Sequence, residues 1–217
     1  MAAHDEPQAR VAVKPAHVPV LVADGFMGAR FAADLCALAV ANQAEFKRTV
    51  VSRPDEERGL DLASRRSFTF EGDLGALGAQ FLERIAHAGI FEALGMEPIA
   101  DPHHEFLLSA HRDGDFFTPH TDVLVSGDRA FLGYDRLVTL TYYAHLLQAR
   151  FEGGELVLQG LFGRGKPQVV EPRNDRLVAF PSFAPHEVRK VVQPDAPFAE
   201  ARFALTCWLG RKLSAAG

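Results

Sequence analysis

Residues 114–122 read GDFFTPHTD, and this stretch decides how the rest of the chain is interpreted. In a β-strand, side chains two residues apart point to the same face, so His120 and Asp122 would aim an imidazole and a carboxylate at one point. The pair alone is a weak signal, because a His and an Asp often meet by chance in a surface turn. The surrounding sequence must therefore decide between a metal site and an ordinary loop.

The sequence around this stretch is built of short β-type segments. From Pro102 onward they follow one another closely, separated by turn residues such as Asp-Gly and Gly-Gly. The segments span residues 104–112, 116–125, 137–147, 155–160, 167–172, 176–180, 186–192 and 201–210. Short strands at regular intervals favour a β sandwich or barrel over alternating strands and helices.

The first hundred residues favour two helices instead. A helix is predicted at about 27–44, with an apolar face of Phe31, Leu35 and Leu38. A second is predicted from about Leu74 to Ala93, with an apolar stripe. The stripe consists of Leu74, Leu77, Phe81 and Ile85. Strands are expected at 18–26, 46–51 and 67–71, and loops at 52–66 and 126–136.

Helices followed by strands predict helices packed on one side of a β-sheet structure. We therefore expect a mainly β fold: a double-stranded β-helix, or jelly roll, with the N-terminal helices packed on one sheet. Nothing in the composition marks a linker, so residues 16–217 are expected to form a single domain with its β-helix core at about 103–210. Residues 1–15 are expected to be a flexible tail.

Composition argues against several classes of protein. The net charge is -5, whereas nucleic-acid binders usually carry a basic excess, so nucleic acid is an unlikely partner. No apolar run is long enough to span a bilayer, and residues 1–17 lack the pattern of a secretory signal. Cys36 and Cys207 stand far apart in apolar contexts, typical of buried, reduced thiols. A cytoplasmic protein without membrane contact is expected, and oligomeric state is not readable.

A third metal ligand is available at His186, which begins another predicted strand. Two histidines and one carboxylate on one side of a metal leave the opposite positions open, the arrangement that non-haem Fe(II) oxygenases use. The same ligands can also bind zinc. The sequence pattern therefore leaves a catalytic iron site and a non-catalytic metal-binding jelly roll as alternatives.

The last predicted strand adds a site for an anion. Arg202, Thr206 and Trp208 alternate onto one face of it, and Tyr143 and Thr141 share a face of an earlier strand. A buried Arg needs a partner, and a dicarboxylate such as 2-oxoglutarate offers one for the guanidinium and nearby hydroxyls. The alternatives are a strand-end Arg with its head in water and a tyrosine bonded to backbone.

Six motifs in order resemble the prolyl-hydroxylase branch of the Fe(II)/2-oxoglutarate-dependent oxygenases, over residues 103–210. They are GDFFTPHTD at 114–122, LTYY at 140–143, GGEL at 153–156, VAFPS at 178–182, HEV at 186–188 and RFALTCW at 202–208. The resemblance implies iron ligands at His120, Asp122 and His186. It implies that Arg202 pairs with the distal carboxylate of 2-oxoglutarate, assisted by Tyr143 and Thr206.

The resemblance also identifies candidate substrate-pocket residues and two departures. The pocket candidates are Trp208, Arg66, His111 and Thr141. Family members often carry a Tyr near the co-substrate where this chain has His111, so that contact is open. Arg202 follows His186 by 16 residues, a longer interval than is usual in the family. A longer hairpin loop at 193–198 accounts for it, and Arg189 is the weaker competitor.

The implied activity is a dioxygenase reaction that couples oxidative decarboxylation of 2-oxoglutarate, to succinate and CO2, with hydroxylation of a C–H bond. Fe(II), 2-oxoglutarate and O2 are the expected cofactors, with ascorbate as a candidate reductant. The substrate is expected to be a prolyl residue of a protein or peptide, with a free amino acid or small metabolite as the alternative. Desaturation or demethylation at the same centre is the enzymatic rival.

Overall fold

The computed structural model describes residues 17–50, 61–124, 126–161 and 164–213. Its first strands are β1 (Leu21–Asp24), β2 (Lys47–Arg48), β3 (Arg65–Arg66), β4 (Phe68–Phe70), β5 (His103–His111), β6 (Phe116–His120) and β7 (Tyr134–Ala144). The later strands are β8 (Glu152–Gly153), β9 (Leu156–Leu158), β10 (Gln168–Val170), β11 (Arg176–Pro181), β12 (His186–Val188), β13 (Val191–Val192) and β14 (Arg202–Lys212). The α-helices are α1 (Ala29–Ala41), α2 (Gly75–Ala86), α3 (Ile90–Ala93) and α4 (Ser126–Leu132).

The strands form two main antiparallel sheets. The larger has the order β1-β11-β7-β14-β5-β4-β2, and the smaller has the order β10-β9-β12-β6-β3. A separate pair, β13-β8, lies beside them. Many neighbours, such as β14 with β5 and β12 with β6, are far apart in sequence, as in a jelly roll. The predicted mainly β, jelly-roll fold is confirmed.

Helices α1 and α2 cover the outer face of the larger sheet. On that face Tyr142 of β7 lies 5.5 Å from the ring of Phe31 in α1 and 5.8 Å from that of Phe81 in α2, measured between ring centroids. Phe81 is fully buried, as is Leu205 on the neighbouring strand β14. The predicted packing of the N-terminal helices on one sheet is therefore confirmed, because both apolar stripes converge on these strands.

Asp175 ties the start of α1 to the sheet. Its carboxylate accepts hydrogen bonds from the backbone amides of Met27 and Gly28, at 2.9 Å each, and from the Tyr142 hydroxyl at 2.8 Å. A carboxylate at a helix N-terminus satisfies free amides and complements the helix dipole. Tyr142 is thus a core tyrosine whose hydroxyl bonds a carboxylate.

Three local predictions were wrong. The helix expected over 74–93 is divided into α2 and α3, because Gly89 has a left-handed φ of 59°. The loop expected at 126–136 contains α4 and the first residues of β7. The strand expected at 46–51 is reduced to β2.

Other predictions fall partly outside the described residues. The tail at 1–15, Val51 at the end of the strand expected at 46–51, and residues 52–60 of the expected loop 52–66 lie there. Arg65 and Arg66 at the end of that loop form β3. Among the described residues, no helix has the length and apolar character needed to cross a membrane.

Candidate active site

Three metal-ligand side chains converge between the two sheets. His120 ends β6 and His186 begins β12, and the two residues are direct partners in the antiparallel register. Asp122 follows β6, and its carboxylate oxygens lie 3.6 Å from Nε2 of each histidine. The ligand atoms of all three residues lie within 4.8 Å of one another. The structure thus brings together the three predicted ligands from two neighbouring strands.

Hydrogen bonds orient both imidazole rings. Nδ1 of His120 donates to the Thr118 carbonyl at 2.8 Å, and Nδ1 of His186 donates to the Ala184 carbonyl at 2.9 Å. A carbonyl only accepts, so each neutral ring carries its proton on Nδ1 and turns the Nε2 lone pair toward the other ligands. Such outer hydrogen bonds fix the tautomer that a metal requires.

The electrostatics of the site favour the metal-binding protonation states. Burial, reinforced by the neighbouring His186, lowers the pKa of His120 to about 3. Burial alone would raise the pKa of Asp122, but the neighbouring His186 and His120, with a hydrogen bond from Thr139, hold it below its usual value. At neutral pH His120 is therefore a neutral imidazole and Asp122 a carboxylate, the forms that bind a metal.

One face of β14 lies beside the metal-ligand cluster, as the alternation of the sequence predicted. Arg202, Thr206 and Trp208 line the same cleft as the three ligands, together with Tyr143 and Thr141 of β7. The register pairs Thr206 with Thr141 and places Tyr143 opposite Ala204, one pair from Arg202. The predicted co-substrate residues and metal ligands therefore share one cleft.

Arg202 is buried without an acidic partner. Only 1% of its surface is exposed, and none of the described residues forms an ion pair with it. Arg202 Nε, the Tyr143 hydroxyl and His111 Nε2 are buried polar atoms that lack hydrogen-bond partners within the described part of the chain. A buried guanidinium needs an anion, and a bidentate carboxylate matches its geometry. This end of the cleft therefore fits a carboxylate.

Gly154 keeps that end of the cleft open. Its φ is 71°, and a Cβ atom there would lie 2.7 Å from Cδ of Arg202. Gly153, with a φ of 73°, precedes it in the tight turn predicted before β9. A larger residue at 154 would displace the Arg202 side chain.

The structure places Arg65 rather than the predicted Arg66 at the cleft. Consecutive residues of a strand face opposite ways, so only one of the two can point inward. Arg65 lies over the Phe117 ring, 4.5 Å from guanidinium carbon to centroid, and its Nε donates to the Ser67 hydroxyl. The register of β3 against β6, which sets this choice, is not visible in the sequence.

Of the remaining candidates His111 and Arg189, only His111 lines the cleft. His111 lines the cleft beside Arg202, and its Nδ1 is 3.2 Å from Arg202 Nη1. His145 lies elsewhere, bonded to the Leu146 and Pro172 carbonyls. Arg189 is exposed. Arg202 is thus the Arg of the two that faces the metal ligands.

A wider mouth opens from the metal-ligand cluster to the surface. Glu105 and Arg136 form an ion pair in it, with 2.6 Å between Arg136 Nη2 and a carboxylate oxygen. The Arg136 guanidinium also lies 3.9 Å from the centre of the Trp208 ring. Asp128 of α4 also lines this mouth, so the segment at 126–136 borders it.

Comparisons with known proteins agree with this geometry. The model of the 2OG-Fe(II) oxygenase superfamily matches residues 106–210. An uncharacterized PKHD-type hydroxylase of Synechocystis is 30% identical over 160 residues, covering 69% of this chain and 51% of that protein. The chain thus spans about half the length of this curated relative.

Solved structures share the fold. A Pseudomonas putida prolyl-4-hydroxylase has a TM-score of 0.62 at 24% identity, over 90% of this chain and 94% of its own. A Trichoplax adhaerens prolyl hydroxylase, solved with a hypoxia inducible factor peptide, has a TM-score of 0.65 at 18% identity, over 88% and 83%. These likenesses confirm the predicted prolyl-hydroxylase-like fold, and residues 106–210 resemble the 2OG-Fe(II) oxygenase superfamily. This family implies Fe(II), 2-oxoglutarate and O2.

Proposed function

We propose that this protein is an Fe(II)- and 2-oxoglutarate-dependent hydroxylase. The observation that carries the proposal is the juxtaposition, in one cleft, of the two-histidine, one-carboxylate cluster and the buried Arg202, which has no acidic partner among the described residues. A zinc-binding jelly roll would account for the first feature but not for a buried guanidinium beside it. An oxygenase that binds a dicarboxylate accounts for both.

The residues have separate roles in this proposal. His120, Asp122 and His186 hold the iron. Arg202 binds the distal carboxylate of 2-oxoglutarate, with the Tyr143 and Thr206 hydroxyls beside it. When bound, iron and 2-oxoglutarate supply the chemistry: with O2, oxidative decarboxylation to succinate and CO2 drives hydroxylation of a C–H bond.

The protein supplies binding, orientation and exclusion of water. Trp208 and Thr141 line the cleft that holds the iron ligands and Arg202, and Trp208 also lines the mouth. Thr139 donates to Asp122 at 2.8 Å and so fixes the rotamer of that carboxylate. Because Asp122 occupies a ligand position that related halogenases leave free for halide, hydroxylation is the expected outcome.

A protein or peptide is the proposed substrate class, and a prolyl residue the proposed target. Support comes from the open mouth, which holds both charges and the Trp208 ring, and from the Trichoplax adhaerens hydroxylase solved with a peptide. A free amino acid or small metabolite is the alternative. Incubation of the iron-loaded enzyme with a proline-containing peptide library, followed by mass spectrometry for gain of one oxygen atom, separates the two.

A spectroscopic test of the site needs no knowledge of the substrate. Fe(II) and then 2-oxoglutarate are added without oxygen, and the visible spectrum is recorded. A weak metal-to-ligand charge-transfer band is expected only with both, absent in Asp122→Ala and retained in Asp34→Ala, a control on the exposed face of α1. Tight Zn(II) binding with no such band would favour the metal-binding jelly roll instead.

Ascorbate and a cytoplasmic location remain predictions. Ascorbate is proposed as a reductant that restores Fe(II). Succinate yield over many turnovers, measured with and without ascorbate, tests this.

A further inference from the structure

His111 has a tautomer that its surroundings determine. It ends β5 directly opposite Arg202 of β14, and Arg202 Nη1 lies 3.2 Å from His111 Nδ1. A guanidinium has hydrogen-bond donors only, so Nδ1 must be the acceptor. The hydrogen of a neutral His111 ring is therefore on Nε2.

The ring is neutral under ordinary conditions. Burial, then the positive charges of Arg202 and Arg65, lower the pKa of His111 well below its usual value. Its surface is 3% exposed. His111 thus offers one N–H group, and that group points away from Arg202.

This N–H group has no acceptor among the described residues, although it is buried. Leaving a buried donor unpaired costs free energy, which a native protein rarely accepts without a ligand to satisfy it. Arg202 Nε and the Tyr143 hydroxyl are unpaired in the same cleft. Since β14 lies between β5 and β7, His111 and Tyr143 flank Arg202 from opposite sides. Three donors without an acceptor define an anion site.

We propose that His111 is a positioning residue for 2-oxoglutarate, donating its Nε2–H to the carboxylate that Arg202 binds. This inference rests on the proposed function and adds a residue, His111, that selects the co-substrate. Arg202 has two roles in it: it pairs with the carboxylate, and it fixes the His111 tautomer that donates. His111 therefore favours 2-oxo acids that carry a second carboxylate.

The test measures binding rather than turnover. Anaerobic Fe(II)-loaded protein is titrated with 2-oxoglutarate or with 2-oxopentanoate, which lacks the distal carboxylate, and the charge-transfer band gives each Kd. His111→Phe removes the donor, and His111→Gln restores an N–H donor. His104→Phe is the matched control, because it makes the same change on the opposite face of β5, outside the cleft.

We expect His111→Phe to raise the Kd for 2-oxoglutarate roughly tenfold or more, as loss of a hydrogen bond to a charged group predicts. The Kd for 2-oxopentanoate should be unchanged, His111→Gln should recover most of the 2-oxoglutarate affinity, and His104→Phe should match the wild type. Equal weakening of both acids in His111→Phe, or no weakening, would overturn the role of His111 alone. Absence of the band in the wild-type protein would instead overturn the proposed function, and this inference with it.

Discussion

The two faces of the larger sheet differ in what their buried side chains contact. On the outer face, Leu205 and Tyr142 pack against α1 and α2, and the buried Tyr142 hydroxyl has a partner in Asp175. On the inner face, Arg202 and Tyr143 are equally buried but keep polar atoms that have no partner among the described residues. Successive residues of β7 and β14 thus point in turn toward the helices, where the buried Tyr142 hydroxyl is paired, and toward the cleft, where buried polar atoms lack partners among the described residues.

The difference separates stability from ligand binding. The outer face gains free energy from apolar burial, whereas the inner face carries desolvated polar groups that a ligand can satisfy. Substitutions on the outer face should therefore reduce stability without changing the affinity of the molecules that remain folded. Substitutions on the inner face should do the reverse.

Phe81→Ala should have the largest effect on the outer face. The Phe81 ring is fully buried and contacts Phe26, Phe31, Phe106 and Tyr142. Truncation of such a ring costs about 3–5 kcal/mol of the free energy of unfolding. Urea denaturation measures the loss, and Gln80→Ala, exposed on the same helix, is the control. If the folded molecules of this variant bound 2-oxoglutarate more weakly than the wild type, the outer face would affect ligand binding as well as stability.

Arg202→Met should have the converse effect on the inner face. Loss of a buried charge partner is expected to weaken 2-oxoglutarate binding by about 2–5 kcal/mol. Stability of the ligand-free protein should stay the same or rise, because a buried unpaired cation is removed. The charge-transfer titration and urea denaturation measure the two quantities, with Arg211→Met, exposed on the same strand, as control. Unchanged 2-oxoglutarate affinity would remove Arg202 from the co-substrate site.

Asp175→Ala tests the polar link between α1 and the sheet. It leaves the Met27 and Gly28 amides and the Tyr142 hydroxyl without their acceptor, which should cost about 2–3 kcal/mol. Asp175→Asn should cost less, because Asn tolerates the positive φ of this position and retains an acceptor. Thermal denaturation ranks the variants, and equal midpoints for Asp175→Ala and the wild type would show that the link is not stabilising.

The alternation of residues along strands made the inner face predictable from the sequence. Arg202, Thr206 and Trp208 share the cleft with Tyr143 because period two fixes which side chains point inward once the strands are recognised. Predicting the three metal ligands required one further inference, that β6 and β12 are neighbours in the sheet. The order of the motifs along the chain supplied that inference.

Features set by tertiary contacts were not predictable. The choice of Arg65 over Arg66 depends on the register of a two-residue strand, which has no pattern of its own. The break between α2 and α3 depends on the left-handed Gly89, in a stretch whose apolar residues continue at helical spacing. The unpaired Nε2 of His111 follows from its position opposite Arg202, and no local signal in the sequence marks it.

Lowering the pH should cause the smallest of the predicted changes in the free energy of unfolding. Burial is the main cause that lowers the pKa of His111, His120 and His145. As the pH falls through about 6.5, the unfolded chain therefore binds protons that the folded, metal-free protein does not bind. The free energy of unfolding decreases as a result. His111 and His120, whose pKa is lowered furthest, should each contribute a loss of about 0.8 kcal/mol between pH 7.5 and 6.0, measured by urea denaturation. His145→Gln, outside the cleft, should reduce the slope by less than one such share, because both ring nitrogens of His145 contact carbonyl oxygens; a flat wild-type profile would mean that the rings are not held neutral by burial.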